Sequence, residues 1–163
     1  MSSEHNQQQI TLLIGPPGCG KSTFAKKLHG FHISSDTIVE RLCRQHHINY
    51  RQFFELATNH PIRIRHQHLF QKRIAQSKHH DLVVWDLTNL TRSDRQRAIG
   101  YYPGAQYIAI CFKNSDNPAY LREVNHNRQQ AEQKFIPDTV LDDMLRRYQA
   151  PTKAEGFSDI ISV

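Results

Sequence analysis

Three of the seven glycines in this 163-residue chain lie between Gly15 and Gly20, directly after the apolar run ITLLI. The pattern Gly-x4-Gly-Lys-Ser, which ends at Lys21 and Ser22, is the spacing of a phosphate-binding loop. Glycines let the backbone fold around a pyrophosphate with its N–H groups pointing inward, and a helix that begins at Lys21 adds the positive end of its dipole. The alternative is a Gly/Pro turn before a lysine. The strand before the loop and the helix after it favour the phosphate site.

The side chains of this loop predict how a nucleotide is held. Lys21 is expected to reach the β- and γ-phosphates, and the Ser22 hydroxyl is expected to ligate Mg²⁺. The expected cofactors are therefore ATP, or another nucleoside triphosphate, and Mg²⁺. The predicted nucleotide-binding residues are Gly15, Gly18, Cys19, Gly20, Lys21, Ser22 and Thr23.

Asp36 follows the sequence ISS and opens a helical stretch, which allows two interpretations. Ser35 or Asp36 would serve well as the helix N-cap. A phosphoryl-transfer enzyme, however, needs a carboxylate near the γ-phosphate to orient the acceptor hydroxyl and take its proton. Both roles coexist if Ser35 is the cap, so the spacing alone leaves the role of Asp36 open.

Asp86 ends the apolar run LVVW, which is the general form of a second nucleotide-binding motif with an acidic group facing the Mg²⁺ site. An aspartate at the start of a loop also bonds local backbone, which is the structural alternative. We expect Asp86 to act on the metal indirectly. Thr88 and Asn89 are expected to fix the loop.

The polar segment Arg122–Pro137 has no apolar stripe after Val124 and stops at a proline, which predicts a helix end and a mobile lid. Arg128 in this lid could close over a triphosphate and stabilise charge on the transferring phosphoryl group. A solvated arginine on an exposed helix is the alternative. Lys134 is a weaker candidate.

The segment His60–Arg73 is rich in histidine and basic residues. His66 and His68 are two residues apart, which does not place them on one helical face and does not favour a metal site. A basic face for phosphates is the second hypothesis, but a solvated helix is favoured over it. The basic residues concerned are Arg63, Arg65, Lys72 and Arg73.

Short apolar runs alternate with helical stretches along the chain, which predicts right-handed βαβ crossovers and a three-layer α/β fold. We expect a parallel sheet of about five strands flanked by helices. Predicted strands are ITLLIG, FHIS at 31–34, LVVW at 82–85, YIAICF at 107–112 and DIISV at 159–163. Predicted helices are Lys21–His29, Asp36–His46, Pro61 to about Ser77, Arg92–Gly100 and Pro118–Asn127.

Composition predicts one compact domain over residues 1–163, with a flexible tail at residues 1–9. No stretch approaches the length of a membrane span or has the pattern of a signal peptide, so we expect a soluble, cytoplasmic protein without a membrane partner. The three cysteines lack a paired metal spacing and are expected to be reduced. The formal charge of +6 suits a polyanionic partner such as nucleic acid.

Taken together, these segments resemble the polynucleotide 5′-hydroxyl kinase group of P-loop phosphotransferases, which includes the phage-type enzyme and the kinase module of bacterial RNA-repair proteins. The resemblance spans nearly the whole chain and rests on GPPGCGKSTFAKK, ISSD, VVWDLTNLTRSDR, NHNR and EGFSDIISV. It implies a P-loop kinase fold in which Lys21 and Ser22 bind phosphate and Mg²⁺. It also implies that Asp36 is the general base and that Arg128 contacts the phosphates.

Two positions depart from that family. Where polynucleotide kinases usually carry an arginine that binds the substrate phosphate, three residues after the catalytic aspartate, this chain has Val39. Arg41 is two residues further on, and this shift turns its side chain by about 200° to the other helix face. Asp86 stands two residues before Thr88, as in the bacterial modules, whereas the phage-type enzyme has an aspartate directly before the threonine.

The resemblance therefore implies an ATP- and Mg²⁺-dependent kinase whose acceptor is the 5′-hydroxyl of RNA or DNA. A small-molecule kinase acting on a sugar, a nucleoside or an antibiotic is one alternative, favoured by the missing arginine. A nucleotide-binding regulatory ATPase is the other.

Overall fold

Five parallel strands form the central sheet of the chain, which the computed structural model describes over residues 7–132 and 134–163. In the sheet they lie in the order second, third, first, fourth and fifth, and every pairing is parallel. This confirms the predicted α/β fold with its parallel sheet. The strands are β1 (Gln9–Ile14), β2 (Phe31–Ile33), β3 (Leu82–Trp85), β4 (Gln106–Cys111) and β5 (Asp159–Ser162).

Helices connect successive strands and cover both faces of the sheet. Their bounds are α1 (Lys21–Ala25), α2 (Ser35–His46), α3 (Tyr50–Glu55), α4 (Pro61–Ser77), α5 (Arg92–Gly100), α6 (Pro118–Glu132) and α7 (Asp138–Arg147), with a 3-10 turn at Lys153–Glu155.

The central strand β1 shows why the fold has three layers. Leu12 packs in one apolar cluster with Ile74 of α4, whereas its neighbour Leu13 packs in a second cluster with Leu121 of α6 and Leu141 of α7. Successive side chains of a strand point to opposite faces, so a strand buried on both faces reads as a continuous apolar run. The run ITLLI has this property.

The strand order reverses direction at β1, which lies between β3 and β4. In open parallel sheets the crevice outside the carboxyl ends of the strands at such a switch point is the usual ligand site. The loop that follows β1 contains Gly15, Gly18 and Gly20, so the predicted phosphate-binding residues lie at this point of the sheet.

The helices differ from the predicted ones in five places, the smallest being that α2 begins at Ser35, one residue before its predicted start. Helix α1 ends at Ala25 rather than His29, because the chain turns into β2 through Gly30. At Gly30, with φ of 132°, a β-carbon would lie 2.8 Å from the Leu82 carbonyl oxygen. Helix α6 extends past its predicted end at Asn127, and α3 and α7 were not predicted.

A buried ion pair joins α5 to the turn before β5. The Arg95 guanidinium donates to both carboxylate oxygens of Glu155, at 2.7 and 2.9 Å, and the two side chains are 0% and 2% exposed. Arg95 also donates to the carbonyl oxygens of Asn89 and Gln149. One side chain therefore fastens the loop after β3 to the last part of the chain.

The amino-terminal segment enters the sheet earlier than the tail prediction implied. Gln9 is the first residue of β1, the Gln106 N–H donates to the Gln8 carbonyl, and the Gln8 amide donates to two backbone carbonyls. Residues 1–6 of the predicted tail lie outside the described residues. Within the described ranges no helix is long and apolar enough to cross a bilayer. Cys19, Cys43 and Cys111 are free thiols.

Candidate active site

The loop after β1 has the backbone conformation that a phosphate cradle requires. Gly18 and Gly20 have φ of 88° and 105°, in the left-handed region that side chains disfavour. Turns that mix right- and left-handed residues direct successive N–H groups into an anion-binding concavity. The Gly15 N–H donates to the Thr88 carbonyl at 3.0 Å, which fixes the start of the loop against the segment after β3.

Gly15 has no room for a side chain. A β-carbon there would lie 2.5 Å from the Cys19 sulfur and 2.7 Å from the Ser115 hydroxyl oxygen. Ser115 follows β4 and is 3% exposed, and its hydroxyl is the one buried side-chain group in the described part of the chain that lacks a hydrogen-bond partner. Sequence analysis did not identify Ser115, because no motif signals a residue that packs beneath the loop.

Lys21 is buried and turned back onto its own loop. Its ammonium donates to the carbonyl oxygens of Gly15 at 2.7 Å and Pro16 at 2.9 Å, and only 8% of the residue is exposed. Burial lowers the pKa of Lys21, whereas the charges of Asp86 and Asp36 raise it and that of Arg128 lowers it. These four predicted site residues are therefore close enough to interact electrostatically. Ser22 and Thr23 are exposed in the first turn of α1.

Asp36 does not cap its helix. Ser34 is the N-cap of α2, with its hydroxyl accepting the Thr37 N–H at 3.4 Å, so the predicted cap at Ser35 or Asp36 is wrong. The Ser35 hydroxyl instead bonds His66 Nε2 of α4 at 2.9 Å. The Asp36 side chain is 47% exposed and takes no part in capping, and its charge raises the pKa values of Lys21 and Asp86.

Tyr50 of α3 and Lys134 of the segment between α6 and α7 contact the Asp36 carboxylate. The Tyr50 hydroxyl donates to Oδ1 at 2.7 Å, and the Lys134 ammonium lies 3.8 Å from Oδ2 while it also pairs with Glu40. Burial raises the pKa of Tyr50, and the charge of Asp36 and its hydrogen bond raise it further. The phenol is therefore protonated and acts as a donor. Sequence analysis missed Tyr50, although the Asn49/Gln52 capping box marks the start of its helix.

Asp86 lies at the end of β3 beside the phosphate loop. Burial raises the pKa of Asp86, the Lys21 charge lowers it, the Asp36 charge raises it, and the net shift is upward. Asn89, with φ of 50°, donates its amide to the Leu13 carbonyl at 2.7 Å and is buried. Asn89 therefore holds the loop together, as predicted.

Helix α6 packs against the phosphate loop and carries Arg128. A β-carbon on Gly18 would lie 3.1 Å from Val124, so α6 packs directly on the loop. Arg128 is one helical turn after Val124, partly buried, and its charge affects the pKa values of both Lys21 and Tyr50. The predicted lid also includes Gln133, which lies outside the described residues. Asn125 bonds the backbone of Ile136, which ties the segment after α6 back to the helix.

Val39 and Arg41 lie on opposite sides of α2. Val39 is 1% exposed and packs with Leu42 and Phe53 between α2 and α3, whereas Arg41 is exposed. The predicted rotation of Arg41 away from the Val39 face is consistent with these positions. An arginine at position 39 would be buried here in an apolar cluster.

Two of the four basic candidates on α4 have partners within the fold. Arg63 donates to the Phe53 carbonyl, and its guanidinium lies over the Phe53 and Phe54 rings. Arg73 donates to the His32 carbonyl and lies 3.8 Å from the Phe31 ring centre. Arg65 and Lys72 are exposed. The four side chains therefore do not form one phosphate-binding row.

Together these elements surround one site with a buried lysine, two carboxylates, an arginine and a glycine-rich loop. No group of three or more metal-ligating side chains occurs in residues 7–132 and 134–163. Mg²⁺ in phosphoryl-transfer sites is commonly held by one or two protein groups together with substrate phosphates. The Ser22 hydroxyl and the Asp86 carboxylate are of the kind that this arrangement uses. The site therefore contains the kinds of group that triphosphate binding and proton transfer use.

Comparison with known proteins supports the same conclusion about fold. A chain of the Pnkp1/Rnl/Hen1 RNA repair complex is similar over 90% of this chain and 45% of that chain, with 19% identity and a TM-score of 0.63. This chain thus spans less than half the length of that relative. A candidate kinase from Chloroflexus aurantiacus j-10-fl is similar over 96% of this chain and 85% of that one, with 15% identity and a TM-score of 0.62.

A gluconokinase from Sinorhizobium meliloti 1021 is similar over 97% of this chain and 82% of that chain, with 16% identity. The TM-score of that match is 0.48. No curated protein sequence matches the chain. The family model AAA_33, an AAA domain, matches residues 10–151. The chain therefore belongs to the AAA_33 family, and it has the α/β fold of a P-loop kinase.

Proposed function

We propose that this protein is an ATP- and Mg²⁺-dependent kinase that transfers the γ-phosphate to the 5′-hydroxyl of RNA or DNA, with residues 1–163 forming one kinase domain. The observation that carries the proposal is the position of Asp36. Its half-exposed carboxylate is not needed as a cap, and it lies within electrostatic range of Lys21 and Asp86. A carboxylate beside a phosphate loop is what activation of an acceptor hydroxyl requires.

The phosphate loop binds the triphosphate in this proposal. Its backbone N–H groups and the Lys21 ammonium contact the β- and γ-phosphates, so Lys21 leaves the carbonyl oxygens of Gly15 and Pro16 when the nucleotide binds. Helix α1 is only five residues long, so its dipole contributes less than the loop itself. Ser22 would hold Mg²⁺, with Asp86 acting on it indirectly, and the metal would supply positive charge to the phosphates when bound.

Asp36 accepts the proton of the acceptor hydroxyl as the new bond to phosphorus forms. The bond between the γ-phosphorus and the oxygen that bridges it to the β-phosphate breaks, and ADP leaves with that oxygen. Tyr50 holds Oδ1 of Asp36 and so orients the carboxylate. Arg128 stabilises negative charge on the transferring group from α6.

The nucleic-acid acceptor is supported by the chain's formal charge of +6, by its likeness to polynucleotide 5′-hydroxyl kinases and by its structural similarity to the RNA repair chain. A second candidate, phosphorylation of a small polyhydroxyl compound, is favoured by two observations. Val39 is buried where the phosphate-binding arginine would stand, and Glu40 adds a second carboxylate beside Asp36 through their shared partner Lys134.

A transfer assay with a panel of acceptors separates these functions. The protein is incubated with γ-labelled ATP, Mg²⁺ and, in separate reactions, 5′-hydroxyl oligoribonucleotides, 5′-hydroxyl oligodeoxyribonucleotides, nucleosides and sugars. We expect label on the oligonucleotides and no transfer in a folded Lys21→Ala variant. Label on a sugar or a nucleoside alone would support the small-molecule alternative. Release of phosphate without labelling any acceptor would indicate a regulatory ATPase.

A further inference from the structure

The surface beside Asp36 carries two aromatic rings and two cationic groups, which we call the aromatic wall. The rings of Tyr50 and Phe54 on α3 have centres 5.0 Å apart and an interplanar angle of 56°. The Arg63 guanidinium of α4 lies 5.7 Å from the Phe54 ring centre, and the Lys134 ammonium lies 5.8 Å from that of Tyr50. The two rings thus lie side by side, with one cation at each end.

The aromatic wall begins at the Asp36 carboxylate. The Tyr50 hydroxyl donates to Asp36, and the ring of the same residue contacts Phe54, so a single tyrosine side chain separates the carboxylate from Phe54. Helix α4 is held beside the start of α2 because His66 hydrogen-bonds Ser35, the residue before Asp36. An acceptor with its hydroxyl at Asp36 can therefore extend along the wall towards Phe54.

Phe54 is exposed although a neighbouring phenylalanine fills the core. Phe53 is 1% exposed and packs with Val39, whereas Phe54 is 53% exposed. A single exposed apolar side chain is ordinary in a protein surface. The surroundings of Phe54 are more specific, because the ring adjoins a second ring and a guanidinium, and aromatic rings beside cations are the usual means of binding single-stranded nucleic acid.

We propose that Phe54, supported by Tyr50 and Arg63, is the platform on which a base from the first two nucleotides of a 5′-hydroxyl acceptor strand stacks. The inference rests on the proposed function, because it assumes that the acceptor hydroxyl lies at Asp36. Every base has a flat π-face, so the platform accepts acceptors of any sequence. The Arg63 guanidinium adds positive charge beside the Phe54 ring, where the first phosphodiesters of the strand would pass.

The test compares acceptors with and without bases, using the full 163-residue chain. The two substrates are a 5′-hydroxyl oligonucleotide and the same oligonucleotide with abasic residues at its first two positions. The measured quantity is the ratio of kcat/KM for the intact strand to kcat/KM for the abasic strand. Phe54→Ala should lower this ratio by about tenfold and leave the abasic kcat/KM unchanged, because one stacking contact is lost. Phe54→Trp should keep the ratio.

Tyr120→Ala is the matched control, since Tyr120 is an exposed aromatic residue in the first turn of α6 and lies outside the aromatic wall. Its ratio should equal that of the wild type. Transfer to oligonucleotides with the same ratio in wild type and Phe54→Ala would overturn the platform and leave the proposed function standing. A wild-type protein that labels no oligonucleotide would contradict the proposed function, and the platform with it.

Discussion

Asp36 is a single residue whose role the sequence motif leaves undecided and whose contacts the structure defines. The sequence ISSD supports either a helix cap or a general base. In the structure Ser34 caps α2 and Ser35 bonds His66, so Asp36 is available for chemistry. The partners of its carboxylate come from elsewhere in the chain, since Tyr50 is in α3 and Lys134 lies between α6 and α7.

Asp36→Asn should distinguish a general base from a helix cap. The amide cannot take the acceptor proton, so we expect kcat to fall by roughly 10²- to 10⁴-fold, the usual contribution of a general base. The affinity for ATP and the melting temperature should change little. The measurements are steady-state transfer kinetics with the best acceptor of the panel, ATP binding by titration and thermal unfolding.

Ser34→Ala is the matched control, because it removes the cap that the structure identifies. It should lower the free energy of unfolding by about 1 kcal/mol with kcat nearly unchanged. Near-normal turnover in Asp36→Asn would show that Asp36 is not the base.

The phosphate loop could be predicted from the sequence, because its residues are neighbours along the chain. The residues from Gly15 to Ser22 belong to one short loop, so their spacing along the sequence is enough to predict the conformation of that loop. Contacts such as Tyr50 with Asp36 depend on how α2 and α3 pack, and Lys134 reaches Glu40 from 94 positions away along the chain. No spacing rule reports such contacts.

Helix α2 is the element that carries the question of acceptor specificity. Its inner face holds Val39 in the α2–α3 cluster, its outer face carries Arg41, and its first turn presents Asp36. Helices α4 and α5 had their predicted bounds, because Pro61 and the Thr91 capping box mark where they begin. The short helix α3 was not predicted, and α6 extends beyond its predicted end, because capping and tertiary packing determine these features.

The positions of Val39 and Arg41 predict weak discrimination between acceptors. A charge-assisted contact to the phosphate beside the acceptor nucleoside is worth about 1.5–3 kcal/mol, or roughly tenfold or more. The contact is missing at Val39, so the ratio of kcat/KM for a 3′-phosphorylated over an unphosphorylated nucleoside should stay below about tenfold. Paired kinetics at fixed low salt measure this ratio, since salt weakens phosphate contacts.

Arg41→Ala should leave this ratio unchanged, because the side chain is exposed on the far face of α2. Lys134, 3.8 Å from Asp36, is the better source of any residual preference, and Lys134→Ala should remove it. A strong preference that disappears in Arg41→Ala would contradict the assignment of the two helix faces.

At the scale of the whole molecule, the Arg95–Glu155 pair connects the site to the end of the chain. Arg95 holds the carbonyl oxygen of Asn89, whose own side chain bonds β1 at Leu13. The two charged groups are 60 positions apart and fully buried, so their pairing depends on the complete sheet. The sequence predicted the sheet from its apolar runs, but it carried no signal for this pair.

Glu155→Gln should lower the free energy of unfolding by about 3–5 kcal/mol at neutral pH, because it leaves the Arg95 charge buried without a counter-charge. Burial alone raises the pKa of Glu155, but hydrogen bonds from Arg95 and the Thr152 N–H outweigh it and lower the pKa overall. The stabilisation is therefore complete above the unfolded-state pKa, about 4.3, and is lost as the pH falls through the folded-state pKa. Denaturant unfolding at several pH values measures it.

The exposed pair Arg51–Glu55 supplies the control. Glu55→Gln should change stability by less than about 1 kcal/mol, since surface pairs contribute little. The difference between wild type and Glu155→Gln should shrink in acid. A difference that stays constant with pH would contradict the role assigned to the buried pair.

The chemical position of the transferred phosphate tests the proposed 5′-hydroxyl kinase activity most directly. A 5′-hydroxyl oligonucleotide is incubated with wild-type protein, γ-labelled ATP and Mg²⁺, and the product is digested to 5′-mononucleotides. We expect the label in the mononucleotide from the 5′ end. Lys21→Ala and Asp36→Asn should abolish or greatly reduce this labelling. Label found only as free phosphate, or only on a small alcohol in the acceptor panel, would contradict the proposed activity.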